Sequence, residues 1–234
     1  MKTNVAIFFG GRSVEHEISI ISAVQAMSNI DREKYNVIPV YMSKQSVFYS
    51  GEALCEIETF KSGNPEQKAN PVTLVPGAGN VSMVYLNNGL FNKKKPIQID
   101  VAFPIVHGTN CEDGSIQGYL ETLGLPYVGC DVMSSALGMD KVLFKNVLSD
   151  RGIPTLRCVD FGARQWALEC DEIVSKVNAE IGYPMIVKPA NLGSSVGISK
   201  VEDEAQLRSA VDLACSFADR VLIEHAVIGL REIN

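Results

Sequence analysis

The chain has 234 residues, a formal net charge of −6 from 27 acidic and 21 basic side chains, 46% hydrophobic residues and 21% charged ones. A domain takes ~100–200 residues, so this length fits one large domain or two small ones. The acidic balance argues against a protein held to nucleic acid or an anionic membrane by bulk charge, and the near-average composition argues against disorder and coiled coil.

The first apolar run, Val5-Ala6-Ile7-Phe8-Phe9, stops at Gly10-Gly11. It is too short for the apolar core of a signal peptide and reads as a buried strand feeding a turn. No stretch approaches the ~18–20 apolar residues of a membrane span. The six cysteines are scattered without a Cys-x-x-Cys pair and read as reduced thiols. The expected compartment is the cytoplasm.

In chain order, a strand is expected over 4–9. A helix follows over 14–29, with Ile18, Ile21, Val24 and Met27 at helical spacing and Ser13 as N-cap. A second strand spans 36–41; Pro39 suggests an edge or strand-end position for it. This strand–helix–strand unit predicts a parallel sheet. Residues 43–98 are less regular: 72–75 and 81–86 alternate like a hairpin, Asn87-Asn88-Gly89 marks a turn, and Lys93-Lys94-Lys95 a solvated loop. A strand over 101–106 ends at His107-Gly108, a helix over 116–123 stops at Gly124, and a short strand at Tyr127-Val128 precedes a helical turn over 134–138.

A second unit starts near Asp140. It reads as a helix over 141–150, a strand over 155–160, a helix over 167–181, a strand over 185–188, a Gly-Ser-Ser loop, a returning strand over 198–201, a helix over 202–217 and a last strand over 221–224. Strand, glycine-rich turn, strand is an antiparallel hairpin, so this unit is α+β, unlike the first.

Four segments carry chemistry. In Gly10-Gly11-Arg12-Ser13-Val14-Glu15, glycines after a strand let a ligand approach the backbone. Glu15 either stabilises the helix dipole or, at the C-terminal edge of a parallel sheet, meets a ligand ammonium. His107-Gly108…Glu112-Asp113-Gly114 again joins an apolar strand to a helix; it is a capped turn or a second contribution to the same edge. In Ile186-Val187-Lys188-Pro189…Gly193-Ser194-Ser195-Val196-Gly197 the Walker pattern is absent. A lysine instead ends a buried strand, and a flexible loop of N–H and hydroxyl donors follows, a combination suited to phosphates. Lys141 offers a second cation for the same anion. Glu224 closes an apolar strand and is either an ordinary strand-end charge or an acceptor for an adenine amino group, with His225 and Glu232 nearby in sequence.

Taken together and in order, these motifs resemble those of the D-alanine–D-alanine ligases of the ATP-grasp superfamily, over essentially the whole chain. Gly10–Ser19, His107–Gly118, Tyr127-Val128-Gly129 with Met139-Asp140-Lys141, and Val187–Gly197 carry the likeness. The resemblance implies an α/β fold class: a Rossmann-like parallel-sheet domain over 1–133, then the first part of an α+β ATP-grasp domain over 134–234. It implies ATP-dependent ligation of two D-alanines through an acyl phosphate, for peptidoglycan precursors; D-serine and D-lactate ligases share these motifs. Glu15 and Ser194 take catalytic roles by this likeness. Glu15, His107, Ser194 and Ser195 bind substrate. Lys141, Lys188, Gly193, Ser195, Glu224, His225, Val227 and Glu232 bind ATP. The Mg²⁺ ligands are expected in a C-terminal part that this chain lacks, so the 234 residues are expected to be inactive alone or a non-catalytic ligand-binding fragment. A homodimer is implied, with D-alanine and ATP as ligands and no nucleic acid or membrane partner.

Overall fold

The computed structural model describes residues 2–87 and 94–232. Asn88 and Gly89 of the expected turn and Lys93 of the expected loop lie outside them. The chain divides into two compact units, Met1–Ala136 and Leu137–Asn234.

The first unit is built on a seven-stranded sheet in the order β6-β5-β4-β3-β2-β1-β7. β1 (Thr3–Gly10) leads through α1 (His16–Asn29) to β2 (Tyr35–Met42), which lies parallel beside it. β7 (Val101–Pro104) runs parallel to β1 on its other side. Between β2 and β7 the chain makes an antiparallel meander of β3 (Phe48–Ser50), β4 (Asn70–Pro76), β5 (Val81–Tyr85) and β6 (Ile97–Ile99), with a short helix, α2 (Ile57–Lys61), after β3. The sheet is therefore mixed, where the strand–helix–strand pattern predicts a parallel one. β3 and β6 have only three residues each, too few for period-2 alternation to register.

Pro39 sits in an interior strand, not at an edge. It pairs with Ile7 on the β1 side, while β3 reaches only Tyr41 and Met42 on the other. The missing N–H falls where no neighbouring strand requires it. α3 (Ser115–Leu123) completes this unit, the division from the second falls within α4 (Val132–Met139), and the expected strand at Tyr127-Val128 reduces to one parallel bridge between Ala102 and Tyr127. The sheet buries both faces, as parallel strands require. Phe8, Val40, Met83 and Leu120 fill one side; Ile7, Phe9, Met27 and Leu54 fill the other.

In the second unit an antiparallel sheet in the order β10-β9-β11-β8 is formed by β8 (Cys158–Gly162), β9 (Met185–Pro189), β10 (Ser199–Val201) and β11 (Arg220–His225). α6 (Ala163–Glu180) and α7 (Glu204–Cys215) supply Val174, Val177, Leu207 and Val211 to the core against Val159, Val187, Val221 and Ile223. Side chains alternate along each strand. The register therefore puts Lys188, Leu222, Asp160, Cys158 and Glu224 together on the opposite face. That face takes α5 (Lys141–Asp150), whose Val142 packs on Ala190 and Leu222.

The start of α5 is fixed by its N-cap. Asp140 accepts hydrogen bonds from the N–H groups of Val142 and Leu143 at 2.9 and 3.0 Å, and its other carboxylate oxygen pairs with Arg220 at 3.0 Å. Asp140→Ala is expected to lower unfolding free energy by about 1–2 kcal/mol, read from urea melts, because it removes the cap and one half of that pair. A loss no larger than for an exposed-site control would remove Asp140 from this role.

Candidate functional site

In the first unit the strand ends β1 and β7 point the same way, and the turns beyond them meet. β1 is the switch point: its connection through α1 leads to β2 on one side, and β7 lies on the other. Ligands bind at such places in open α/β sheets, outside the carboxyl ends of the strands. Ser19, on the first turns of α1, ties the two strand ends together. Its hydroxyl accepts from the Gly10 N–H at 2.8 Å and donates to the Ile105 carbonyl at 2.6 Å. His16 is buried beside it. Its Nδ1 lies 2.6 Å from the Gly11 carbonyl and therefore carries the proton, which leaves Nε2 to accept from the Tyr41 hydroxyl at 3.1 Å.

α1 begins at His16, two residues later than Ser13 as N-cap predicts. Glu15 occupies the N-cap position without a side-chain capping bond, and the Ser13 hydroxyl accepts the Glu15 N–H at 3.0 Å. The Glu15 side chain turns instead toward the segment after β7. It is 3% exposed and converges with His107 and Glu112, their ligand atoms lying within 4.8 Å of one another. His107 is oriented by Ser22, 3.2 Å from its Nε2; Glu112 accepts the Gly108 N–H at 2.7 Å. Two carboxylates and an imidazole in this space can hold a small cation, whether a metal ion or an alkylammonium with its N–H donors.

Gly108 makes the convergence possible. At φ 77° it is in the left-handed region, and a Cβ there would lie 2.6 Å from a Glu15 oxygen and against the Ser13 hydroxyl. Asn110, in the same turn, also adopts a positive φ of 62°, a conformation asparagine tolerates better than most residues. Cys111 turns inward, where burial pushes its thiol up to about 12 and makes it a core residue rather than a nucleophile. A separate groove of about 520 Å³, lined by His16, Ile20, Tyr41, Lys44 and Phe60, does not include Glu15, His107 or Glu112.

In the second unit Lys188 and Glu224 occupy diagonal positions on neighbouring strands and form an ion pair. Lys145 of α5 reaches the other Glu224 oxygen at 2.7 Å. Burial alone would push the Glu224 carboxyl up, but the hydrogen bonds and charges of Lys145 and Lys188 outweigh it and hold the group below its ordinary value. The sequence reading missed Lys145. Its signal was its spacing: four residues after Lys141, it shares one helix face with it. Lys141 donates from Nζ to the Leu192 carbonyl and from its backbone N–H to the Ala190 carbonyl at 2.9 Å, which fastens the helix to the start of the 190–197 loop.

That loop is wound tightly. Ser194 and Ser195 both have positive φ, 46° and 60°, and both are exposed. Non-glycine residues held there store strain of about 1–3 kcal/mol each, a feature that clusters at ligand clamps and switches. Gly193 accepts the Val196 N–H at 3.1 Å. His225, Val227 and Glu232 are exposed at and beyond the end of β11. The residues expected to bind ATP thus fall into a pair on the sheet face (Lys188, Glu224), Lys141 at the start of α5 fastened to a loop that carries Gly193 and Ser195, and an exposed run.

A family model for the D-ala D-ala ligase N-terminus matches residues 4–130, and one for the D-ala D-ala ligase C-terminus matches 147–234. The chain is 45% identical to the D-alanine–D-alanine ligase of Thermosipho melanesiensis over 99% of its length and 61% of the relative's. It is 40% identical to that of Chlorobium limicola over 97% of its length and 63% of the relative's. Among solved structures it is similar to the D-alanine–D-alanine ligase from Coxiella burnetii, with a TM-score of 0.79 at 31% identity over 97% of this chain and 62% of that one. It is also similar to the VanG D-Ala:D-Ser ligase from Enterococcus faecalis, with a TM-score of 0.78 at 30% identity over 98% and 64%. The chain therefore spans somewhat under two thirds of the length of these relatives.

Gly108→Ala is expected to cost at least twice the unfolding free energy of Gly79→Ala. Both positions have positive φ, which costs about 1–2 kcal/mol for alanine, but only Gly108 would also collide, since nothing lies within 4 Å of a Cβ at Gly79. Equal losses in thermal melts would show that the Gly108 turn has room to spare. A second expectation concerns acid. Glu224 has a depressed folded-state value, so its contribution to stability is full above about pH 4.5 and is lost as pH falls below that. Glu224→Gln should flatten this part of the acid limb in urea melts recorded from pH 6 to 3; an unchanged slope would mean the ion pairs contribute nothing to folding.

Proposed function

Since this chain belongs to the D-alanine–D-alanine ligase family, we propose that it takes part in the ATP-dependent joining of two D-alanines for peptidoglycan precursors. The supporting observation is the meeting of Glu15, His107 and Glu112 at the C-terminal ends of β1 and β7, in a chain whose two halves match the two family models. Residues 1–133 act as the amino-acid domain and 134–234 as the nucleotide-binding part.

Glu15, with His107 beside it, holds the ammonium of the first D-alanine, whose carboxylate is the group that receives the phosphoryl. Lys141 and Lys188 neutralise the phosphates of ATP; phosphoryl transfer asks mainly for this and for alignment. Transfer of the γ-phosphoryl to the carboxylate gives an acyl phosphate and ADP. The amine of the second D-alanine attacks the acyl carbon, and collapse of the tetrahedral intermediate forms the peptide bond and releases phosphate. Ser194 and Ser195, in the strained loop from Gly193 to Gly197, cover the reacting groups and keep water from the acyl phosphate. Glu224 accepts from the adenine amino group, and His225, Val227 and Glu232 line the base and ribose. Magnesium, when bound to the nucleotide, supplies neutralisation of the charge on the transferring phosphoryl group. The nucleotide face offers no ligand set for it: among the described residues the one group of three metal-capable side chains is Glu15, His107 and Glu112, in the first unit. The reaction takes place in the cytoplasm, in a homodimer.

Calorimetric titration of the chain with ATP and, separately, with D-alanine tests this reading. Lys188→Ala is expected to weaken ATP at least tenfold and leave D-alanine unchanged, since a charge-assisted contact is worth about 1.5–3 kcal/mol. Glu15→Gln should weaken D-alanine at least tenfold and leave ATP unchanged. A chain that binds neither ligand, or variants that affect both ligands alike, would overturn it.

A further inference from the structure

Glu224 stands between two lysines, and the nucleotide reading asks one of them to leave. Lys188 hydrogen-bonds the Glu224 carboxylate in this structure, yet it is the group assigned to a phosphate. If Lys188 moves to the nucleotide, the carboxylate, only 8% exposed, must not be left without charge compensation. Resting on that reading, we propose that Lys145 is a positioning residue: it is the resident counter-charge of Glu224, and its presence lets Lys188 transfer from Glu224 to a nucleotide phosphate.

The two lysines are equally buried, each with 17% of its side chain exposed, but they are held differently. Lys145 has two anchors, Glu224 Oε2 at 2.7 Å and the Leu156 carbonyl at 3.0 Å. Lys188 hydrogen-bonds only Glu224 Oε1 among the described residues. The other charges on this face are satisfied among themselves: Arg220 bridges Asp140 at 3.0 Å and Asp160 at 2.9 Å. Two ammoniums against one carboxylate leave a local positive excess at Glu224, which an arriving phosphate meets, while Arg220 and its two carboxylates balance that excess farther along the face. The less anchored lysine is the one that moves. After the move Glu224 retains Lys145 and an oxygen lone pair newly open to a donor, the condition for accepting an amino group from the base.

A double-mutant cycle on the affinity of the chain for ATP, read by calorimetry, tests this. Lys145→Met is expected to weaken ATP at least tenfold in the wild-type background and less than twofold in a Glu224→Gln background, where no buried charge awaits compensation. Lys145→Arg, which keeps the charge, should stay within threefold of wild type. Equal losses in both backgrounds would mean that Lys145 touches the nucleotide itself and would overturn the proposal, as would an unchanged affinity in Lys145→Met. A second measurement needs no variant: on saturation with ATP the ¹⁵Nζ resonance of Lys188 should shift and lose its contact with Glu224, while that of Lys145 stays. The reverse would assign the moving role to Lys145. A wild-type chain that binds no ATP would instead overturn the nucleotide reading on which this rests.

Discussion

A carboxylate carried off the water-facing surface costs several kcal/mol unless a charge meets it there. Glu224, at the end of β11, is such a group, and Lys188 and Lys145 each meet one of its two oxygens. Much of the second unit follows from that arrangement. The register between β9 and β11 has to place Lys188 and Glu224 on one face. α5 has to lie across that face so that Lys145 reaches it, and the Arg220–Asp140 pair and the Lys141 contacts to Ala190 and Leu192 hold the helix at that angle. The same lysine contact sets where the 190–197 loop departs. The loop, the helix and the ion pairs are thus one assembly, in which removing any charge exposes the others to an uncompensated neighbour.

The first unit solves a related problem by backbone means. Glu15 is also buried, and what brings it to His107 and Glu112 is the parting of β1, β2 and β7 at a switch point, with Ser19 tying the two strand ends and Gly108 leaving space for the carboxylate. The two units differ in kind. One presents acceptors to a cation from turns at a sheet edge; the other presents cations to an anion from the flat face of an antiparallel sheet. These are the opposite charges that the proposed ammonium and phosphate roles call for.

Long, strongly patterned elements were legible before any coordinates. α5 runs over the residues its pattern marks, and β1, α1, α3 and the β9–β10 hairpin are displaced by a residue or two. Weakly patterned ones were not. β3 and β6, three residues each, carry no periodicity, and β8 begins three residues later than its apolar run because Thr155-Leu156-Arg157 has no partner strand. Pro39 misled for a specific reason: proline forbids a donor toward one neighbour, and a strand flanked on that side by a ladder of two residues has no need of it.

Residue chemistry and chain order located carboxylate and imidazole groups after β1 and β7 and cationic and loop donors after β9, because those depend on side-chain type beside a strand end. Which groups touch could not be read there. That Glu112 joins Glu15 and His107, that His16 is spent on Gly11 and Tyr41, and that Glu224 holds two lysines instead of standing open are outcomes of register and helix placement. They bring together residues from 5 to more than 90 positions apart, and contact at such separations exists only after the backbone has paired.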